Sequence, residues 1–174
     1  MTQKGNIDII NFSVYNVFRI LVKENAMPKL PLHYNDDPVL KQKCQKVQEV
    51  DDSVRSLLDD MMNTLLLTPG AAALAANQAG ILLQLIVIDY AGYHLKLVNP
   101  EILDTEGSRE CIESCLSFPG RHIRTLRPRA VKVRAQDENG DVIYLNVSGE
   151  MAKCLCHEID HLRGIVFTDR ALSY

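Results

Sequence analysis

The chain lacks an excess of positive charge. With 19 Lys and Arg against 22 Asp and Glu its formal net charge is −3 and its pI is near 5.9, so there is no broad basic field to attract a polyanion, and direct nucleic-acid binding is not expected. The cluster Arg121, Arg124, Arg127 and Arg129 is local and interrupted; it reads as a solvated edge, with contact to an acidic or peptide substrate as the other reading. The chain also lacks any run near the ~18 consecutive apolar residues of a membrane helix. Its longest candidate, Ile81 to Ile88, is broken by Gln84, and no membrane association is expected. No long apolar region followed by a small-residue cleavage site resembles a secretory signal, and with Asp8 and Glu24 an organelle transit peptide is not expected. The five cysteines, Cys44, Cys111, Cys115, Cys154 and Cys156, are odd in number and without the spacing of a small secreted scaffold, which favours a reducing compartment and a cytoplasmic location. Internal repeats and low-complexity linkers are absent. At 174 residues and 47% hydrophobic content the chain supports one globular domain with a buried core.

What is present reads as helix, antiparallel strands and a final helix. Ile10, Val14, Val17, Phe18 and Leu21 fall at helical spacing, so residues 1–26 form an N-terminal extension that is either an amphipathic helix docking on the domain or on a second subunit, or an appended segment. The domain proper then covers 27–174. Val54, Leu57, Leu58, Met61, Met62 and Leu65 have helical period, with Asp51 or Asp52 as N-cap and Pro69-Gly70 as the break; the methionines read as core filling. After the alanine-rich passage from Ala71 to Gly80, the apolar run Ile81 to Tyr90 predicts a buried strand, paired with Tyr93 to Val98 across an Ala91-Gly92 turn. Ala130 to Ala135 and Val142 to Val147 form a second hairpin around Asp137 to Asp141. Ser148 suits an N-cap, Glu150 adds negative charge to a first helical turn, and Gly164 is a stop. This order predicts an α+β domain.

The final helix contains His157-Glu158-Ile159-Asp160-His161. Imidazoles four residues apart share a helix face and can grip one metal ion, and the intervening glutamate is a natural base for a water on that ion. The third ligand is not downstream. Phe167 stands where a metzincin has its third histidine, and no Glu or His follows His161. Upstream, Cys154 lies seven residues from His161, roughly 10 Å along a helix axis, too far for one ion, and Cys156 is rotated away from His157 and reads as a small apolar side chain. His33, His94 and His122 are isolated. Cys115 stands in Glu113-Ser114-Cys115-Leu116-Ser117-Phe118-Pro119-Gly120, a stretch punctuated like a functional loop.

Glu113 to Ser117 resembles the EGCLS motif of peptide deformylases, Cys156 to Gly164 resembles their QHExDHLxG, and Leu74-Ala75-Ala76-Asn77-Gln78 matches the end of their GxGLAAxQ. The motifs follow the family's order, and the pattern runs from about Met27 to Phe167, including Asp37-Pro38-Val39-Leu40 and Asn99-Pro100. The resemblance implies a peptide-deformylase-like α+β fold, with antiparallel sheets around a central metal-binding helix. It implies Cys115, His157 and His161 as ligands of one divalent ion with a fourth position left for water: Fe²⁺ as the expected metal, with Zn²⁺, Ni²⁺ or Co²⁺ able to replace it. The implied reaction removes the formyl group from N-terminal formyl-methionine of nascent polypeptides, near the ribosome, releasing formate. Glu158 would move the proton, the Gln78 amide and the Leu116 backbone N–H would stabilise the oxyanion, Ala72, Ala73 and Phe118 would contact substrate, and Asp160 and Glu113 would orient ligands. Oligomerisation would go through the N-terminal segment. The sequence departs from the pattern at Ala71 and Ala73, where the family has glycine, at Ser114 and at Cys156. Two alternatives therefore stand beside an active deformylase: a related protein that binds metal and peptide with weak or no turnover, and a metallo-amidase or peptidase of other specificity.

Overall fold

The computed structural model describes residues 29–172; the expected N-terminal helix lies outside them. Helix α1 spans Asp52–Leu66 and starts where Asp51 accepts a hydrogen bond from the Val54 N–H at 2.9 Å, satisfying one of the first-turn donors. Its apolar stripe, including Leu57, Leu58, Met61 and Leu65, is buried. Seven strands follow: β1 (Ala73–Ala75), β2 (Leu85–Tyr90), β3 (Tyr93–Glu106), β4 (Arg109–Cys115), β5 (Phe118–Arg127), β6 (Ala130–Gln136) and β7 (Val142–Ser148), and then helix α2 (Gly149–Leu162). Short 3₁₀ turns occupy Pro38–Lys41, Ala76–Ala79 and Phe167–Arg170. One antiparallel sheet has the order β1-β2-β3-β6-β7, and β4 pairs with β5 in a second.

The near-continuous apolar run in β2 is explained by burial on both faces. Leu85 and Val87 pack with the α1 residues, while Ile86 and Ile88 pack with Leu155 and Ile159 of α2, as the two-residue side-chain period requires. Two layers of core thus flank the large sheet. The expected strand from Ile81 is shorter than its apolar run. Gly80 turns the chain at φ +75°, and residues 81–84 cross to the Gln45 segment, with Gln45 N–H donating to Leu82 O and Gln84 N–H to Gln45 O, each at 2.8 Å. Ile81 is apolar because it is buried against α1, not because it is in the ladder. Strand β3 continues beyond the expected Val98 through register shifts near Asn99 and Leu103. Asn99, at φ +52°, clips Val47 with a bond to its N–H at 2.9 Å and another to its C=O at 2.8 Å.

Two expectations about α2 are revised or sharpened. Ser148 occupies the N-cap position, but its side chain makes no capping bond; Gly149, at φ +61°, instead fixes the entry by donating to Arg129 O at 2.9 Å. At the other end Gly164 has φ +73°, and a Cβ there would run into the Lys41 carbonyl. The expected functional loop around Cys115 is the tight turn of the β4–β5 hairpin. That hairpin and the large sheet enclose α2 from opposite sides, through the Glu113 and Arg127 contacts on one side and the Leu155 and Ile159 packing on the other.

Candidate metal centre

Alternation along β4 turns Glu113 and Cys115 toward α2 and leaves Ile112 and Ser114 exposed. On α2, His157 and His161 share the facing stripe. Cys115 Sγ lies 3.2 Å from His161 Nε2, and one ligand atom each from Cys115, His157 and His161 all lie within 4.8 Å of one another. All three residues are buried and no cysteine is in a disulfide. His157 Nδ1 is engaged by Glu113 Oε2 at 2.7 Å, which leaves its Nε2 for a ligand. A buried thiol and two buried imidazoles packed together are a donor set suited to one divalent transition-metal ion, and the Glu113 carboxylate on the far ring nitrogen is the support such ligands receive.

The electrostatic frame is a buried network. Arg127, only 4% exposed, donates to Glu113 Oε1 at 2.5 Å and Oε2 at 3.0 Å, and to Asp160 Oδ2 at 2.6 Å. Arg170 adds a 2.8 Å bond to Asp160 Oδ1 and Thr125 a 2.5 Å bond to Glu113 Oε1. Arg127 is therefore not the solvated-edge residue the sequence suggested: strand parity on β5 turns it and Thr125 inward while Arg124 and Leu126 face out. Burial alone would raise the Glu113 carboxyl, but hydrogen bonds from His157, Arg127 and Thr125 outweigh it and hold it well below the usual range. Burial likewise would lower His157, yet Cys115 and Glu113 push it up to about 10. For His161, burial and the neighbouring His157 both act downward.

Glu158, next to His157 on α2, is 5% exposed and lines a cleft of about 560 Å³ together with Gln78, Cys115, Leu116 and His157. Its Oε2 is buried with no hydrogen-bond partner among the described residues. Burial pushes its carboxyl up to about 7, against the opposing charge of His157. Gln78 is held in one orientation: Oε1 accepts from the Ala75 N–H at 2.9 Å, so Nε2 points to Ser117 Oγ at 3.1 Å and to Cys115 Sγ at 3.6 Å. Asn77 ties this segment to α2 through the His161 carbonyl at 2.7 Å.

Ala72 and Ala73 line the cleft. Phe118 does not: it is 4% exposed, and its ring packs in the core 5.5 Å from that of Phe167, because residue 118 sits across the turn from Cys115 with the inward parity. Tyr34, Tyr90, Glu150 and Lys153 also line the cleft. Sequence reasoning did not assign them there, since they carry no motif and the two tyrosines lie far from α2 in the chain. The i−4 and i−7 spacing of Lys153 and Glu150 from His157 was the one available signal.

The family model for polypeptide deformylases matches residues 29–174. The chain is 48% identical to peptide deformylase 2 of Clostridium acetobutylicum over 143 residues, 82% of this chain and 95% of that protein. It is 44% identical to the peptide deformylase of Alkaliphilus metalliredigens over 139 residues, covering 80% and 94% of the two chains. The crystal structure of a peptide deformylase from Synechococcus elongatus in complex with actinonin superposes with a TM-score of 0.80 at 42% identity, covering 87% of this chain and 83% of that one. The buried Cys-His-His trio beside a glutamate-bearing cleft, and a match extending over nearly all the described residues, lead to one assignment: the chain belongs to the peptide deformylase family.

Proposed function

We propose that Glu158, Gln78 and Leu116 carry out the family's reaction in this chain, hydrolytic removal of the formyl group from N-terminal formyl-methionine with release of formate. Cys115, His157 and His161 are the residues that would hold the metal, Fe²⁺ by preference with Zn²⁺, Ni²⁺ or Co²⁺ able to substitute. Such an ion supplies Lewis acidity and lowers the pKa of a coordinated water. The observation that carries the assignment of roles is the unpartnered, buried Oε2 of Glu158, a residue that lines the cleft beside His157 and Cys115. A carboxyl pushed up to about 7 is suited to take the proton of the attacking water and return it to the amine as the C–N bond breaks. The Gln78 amide is locked with its donors toward the trio, and with the Leu116 N–H it would meet the oxygen on which negative charge develops.

The departures from the family pattern put no strain on the backbone. Ala71, Ala73 and Ser114 are not among the residues with positive φ, so their Cβ atoms occupy ordinary backbone conformations. Formylated nascent peptides met near the ribosome in the cytoplasm are the proposed substrates, and residues 27–174 the proposed catalytic unit, with residues 1–26 an extension available for oligomer contacts. No helix among the described residues is long and apolar enough to cross a membrane.

Formate release from formyl-Met peptides, measured anaerobically with metal analysis, tests the reading. Glu158→Gln is expected to lower kcat by about 10²–10⁴ at unchanged metal content. Turnover that survives the substitution removes Glu158 from its role, and release of whole amino acids from unformylated peptides would favour the peptidase reading.

A further inference from the structure

The two donors assigned to the developing oxyanion stand on separate segments, Gln78 on the 3₁₀ turn Ala76–Ala79 and Leu116 in the turn between β4 and β5. Leu116 is placed by its covalent neighbour Cys115. Gln78 has no such tie to the hairpin. Asn77 fixes its turn to α2, but toward the hairpin it reaches by its side-chain amide, to Ser117 Oγ at 3.1 Å and to Cys115 Sγ at 3.6 Å.

Residues 33–37 bridge the two segments through the backbone. The His33 N–H donates to the Gln78 carbonyl at 2.9 Å and the Asn35 N–H to the Ser117 carbonyl at 2.8 Å. Their spacing is fixed locally. The Asp37 N–H closes a tight turn onto the Tyr34 carbonyl at 3.2 Å, with Asn35 at φ +56°, a conformation that asparagine adopts more readily than most side chains. The Asp37 carboxylate spans that turn, with Oδ2 at 2.7 Å from His33 Nδ1 and Oδ1 accepting from the Val39 N–H at 3.0 Å. The His33 ring in turn lies against Gly80, where a Cβ would come within 2.7 Å of its Nε2. A misplacement of about 1 Å at a reacting group can cost 10²-fold in rate, so the length of this bridge bears on how well both donors meet one oxygen.

We propose that Asp37, acting through His33 and Asn35, is a positioning residue for the reaction: it fixes the bridge that sets how far the Gln78 amide stands from the hairpin carrying Leu116. The inference rests on the deformylase reading above. Its test measures kcat, KM and bound metal for formyl-Met-Ala-Ala with the metal-loaded full chain. Asp37→Ala is expected to lower kcat about three- to tenfold, less than outright loss of an oxyanion donor, with KM and metal content unchanged because the donors act in the transition state. Asp37→Asn keeps an oxygen for the Val39 N–H and an amide for His33, and should restore kcat. In Gln78→Leu no donor is left to position, so there Asp37→Ala should cost less than about twofold. The side-chain amide resonances of Gln78 in the zinc-loaded chain, identified by their loss in Gln78→Leu, should move in Asp37→Ala and return in Asp37→Asn. If Asp37→Ala does not fold, Asn35→Val, which disfavours the left-handed turn, read against Asn35→Gly, which keeps it, should give the same pattern. Equal losses of kcat with and without Gln78, unmoved Gln78 resonances, or wild-type kcat in Asp37→Ala overturns the inference, while formate release by wild type keeps the deformylase reading. Wild-type turnover by Gln78→Leu overturns it together with the role given to Gln78, and failure of the wild-type chain to release formate overturns both readings.

Discussion

At the scale of single residues, the metal ligands and the base are held by groups whose removal should have separable effects. Gln78 is oriented by the Ala75 N–H, so Gln78→Leu removes a donor aimed at the reacting oxygen while keeping an apolar neighbour for the core; kcat should fall by about 10²–10³, read from formate release, with far-UV dichroism unchanged. Arg127→Met removes the cation between two buried carboxylates and leaves Glu113 to His157 and Thr125, and Asp160 to the half-exposed Arg170, which should cost ~3 kcal/mol in urea unfolding. Acid acts on the same cluster. Glu113 ordinarily titrates near 4.5 and is held below that in the folded chain, so its contribution is complete above pH ~4.5 and is lost as pH falls toward the depressed value. Unfolding free energy followed from pH 6 to pH 3, at roughly unit steps, should decline in wild type and decline less steeply in Glu113→Gln. The sequence displays His157, Glu158, His161 and Cys115 plainly, because ligand chemistry is carried by residue type. It hides Arg127, whose importance comes from strand parity on β5, a property that a run of interspersed arginines does not advertise.

At the scale of elements, α1, α2, the β2–β3 hairpin and the β6–β7 hairpin were legible because each has one dominant period and a clear cap or turn. The β4–β5 hairpin was not. Its inward face is polar, with Glu113, Thr125 and Arg127 where an ordinary strand would place apolar side chains, and its outward face exposes Ile112 and Leu126, so the alternation is inverted relative to the usual core-facing pattern. The Ile81 to Tyr90 run misled in the other direction, since burial without pairing looks the same in sequence as a strand. The end of α2 gives a test at this scale. Gly164 combines a left-handed φ with close approach to the Lys41 carbonyl, so Gly164→Ala should destabilise by more than the ~1–2 kcal/mol of the conformation alone, seen as a lowered Tm. A fall in Tm no larger than the few degrees expected of the conformation alone would mean that the Lys41 segment moves aside at little cost.

At the scale of the whole molecule, the ligands come from both sheets' surroundings: Cys115 from the small hairpin, the histidines from the helix enclosed between hairpin and large sheet. An ion bound by all three ties these parts together and binds the folded chain in preference to the unfolded one. Chelation should therefore lower Tm, by an amount that grows with the ratio of metal concentration to Kd, checked by calorimetry before and after metal is restored. The α+β class followed from element order alone, whereas the enclosure of α2 did not, since it depends on the hairpin that the sequence concealed. The seam between hairpin and helix is largely ionic, Glu113 to His157 and Arg127 to Asp160, while the seam between helix and large sheet is hydrocarbon. Acid well below the usual carboxylate range should consequently open the molecule first along this one side, so that the ion escapes from a chain whose main core is still intact, and loss of metal becomes the earliest sign of acid denaturation.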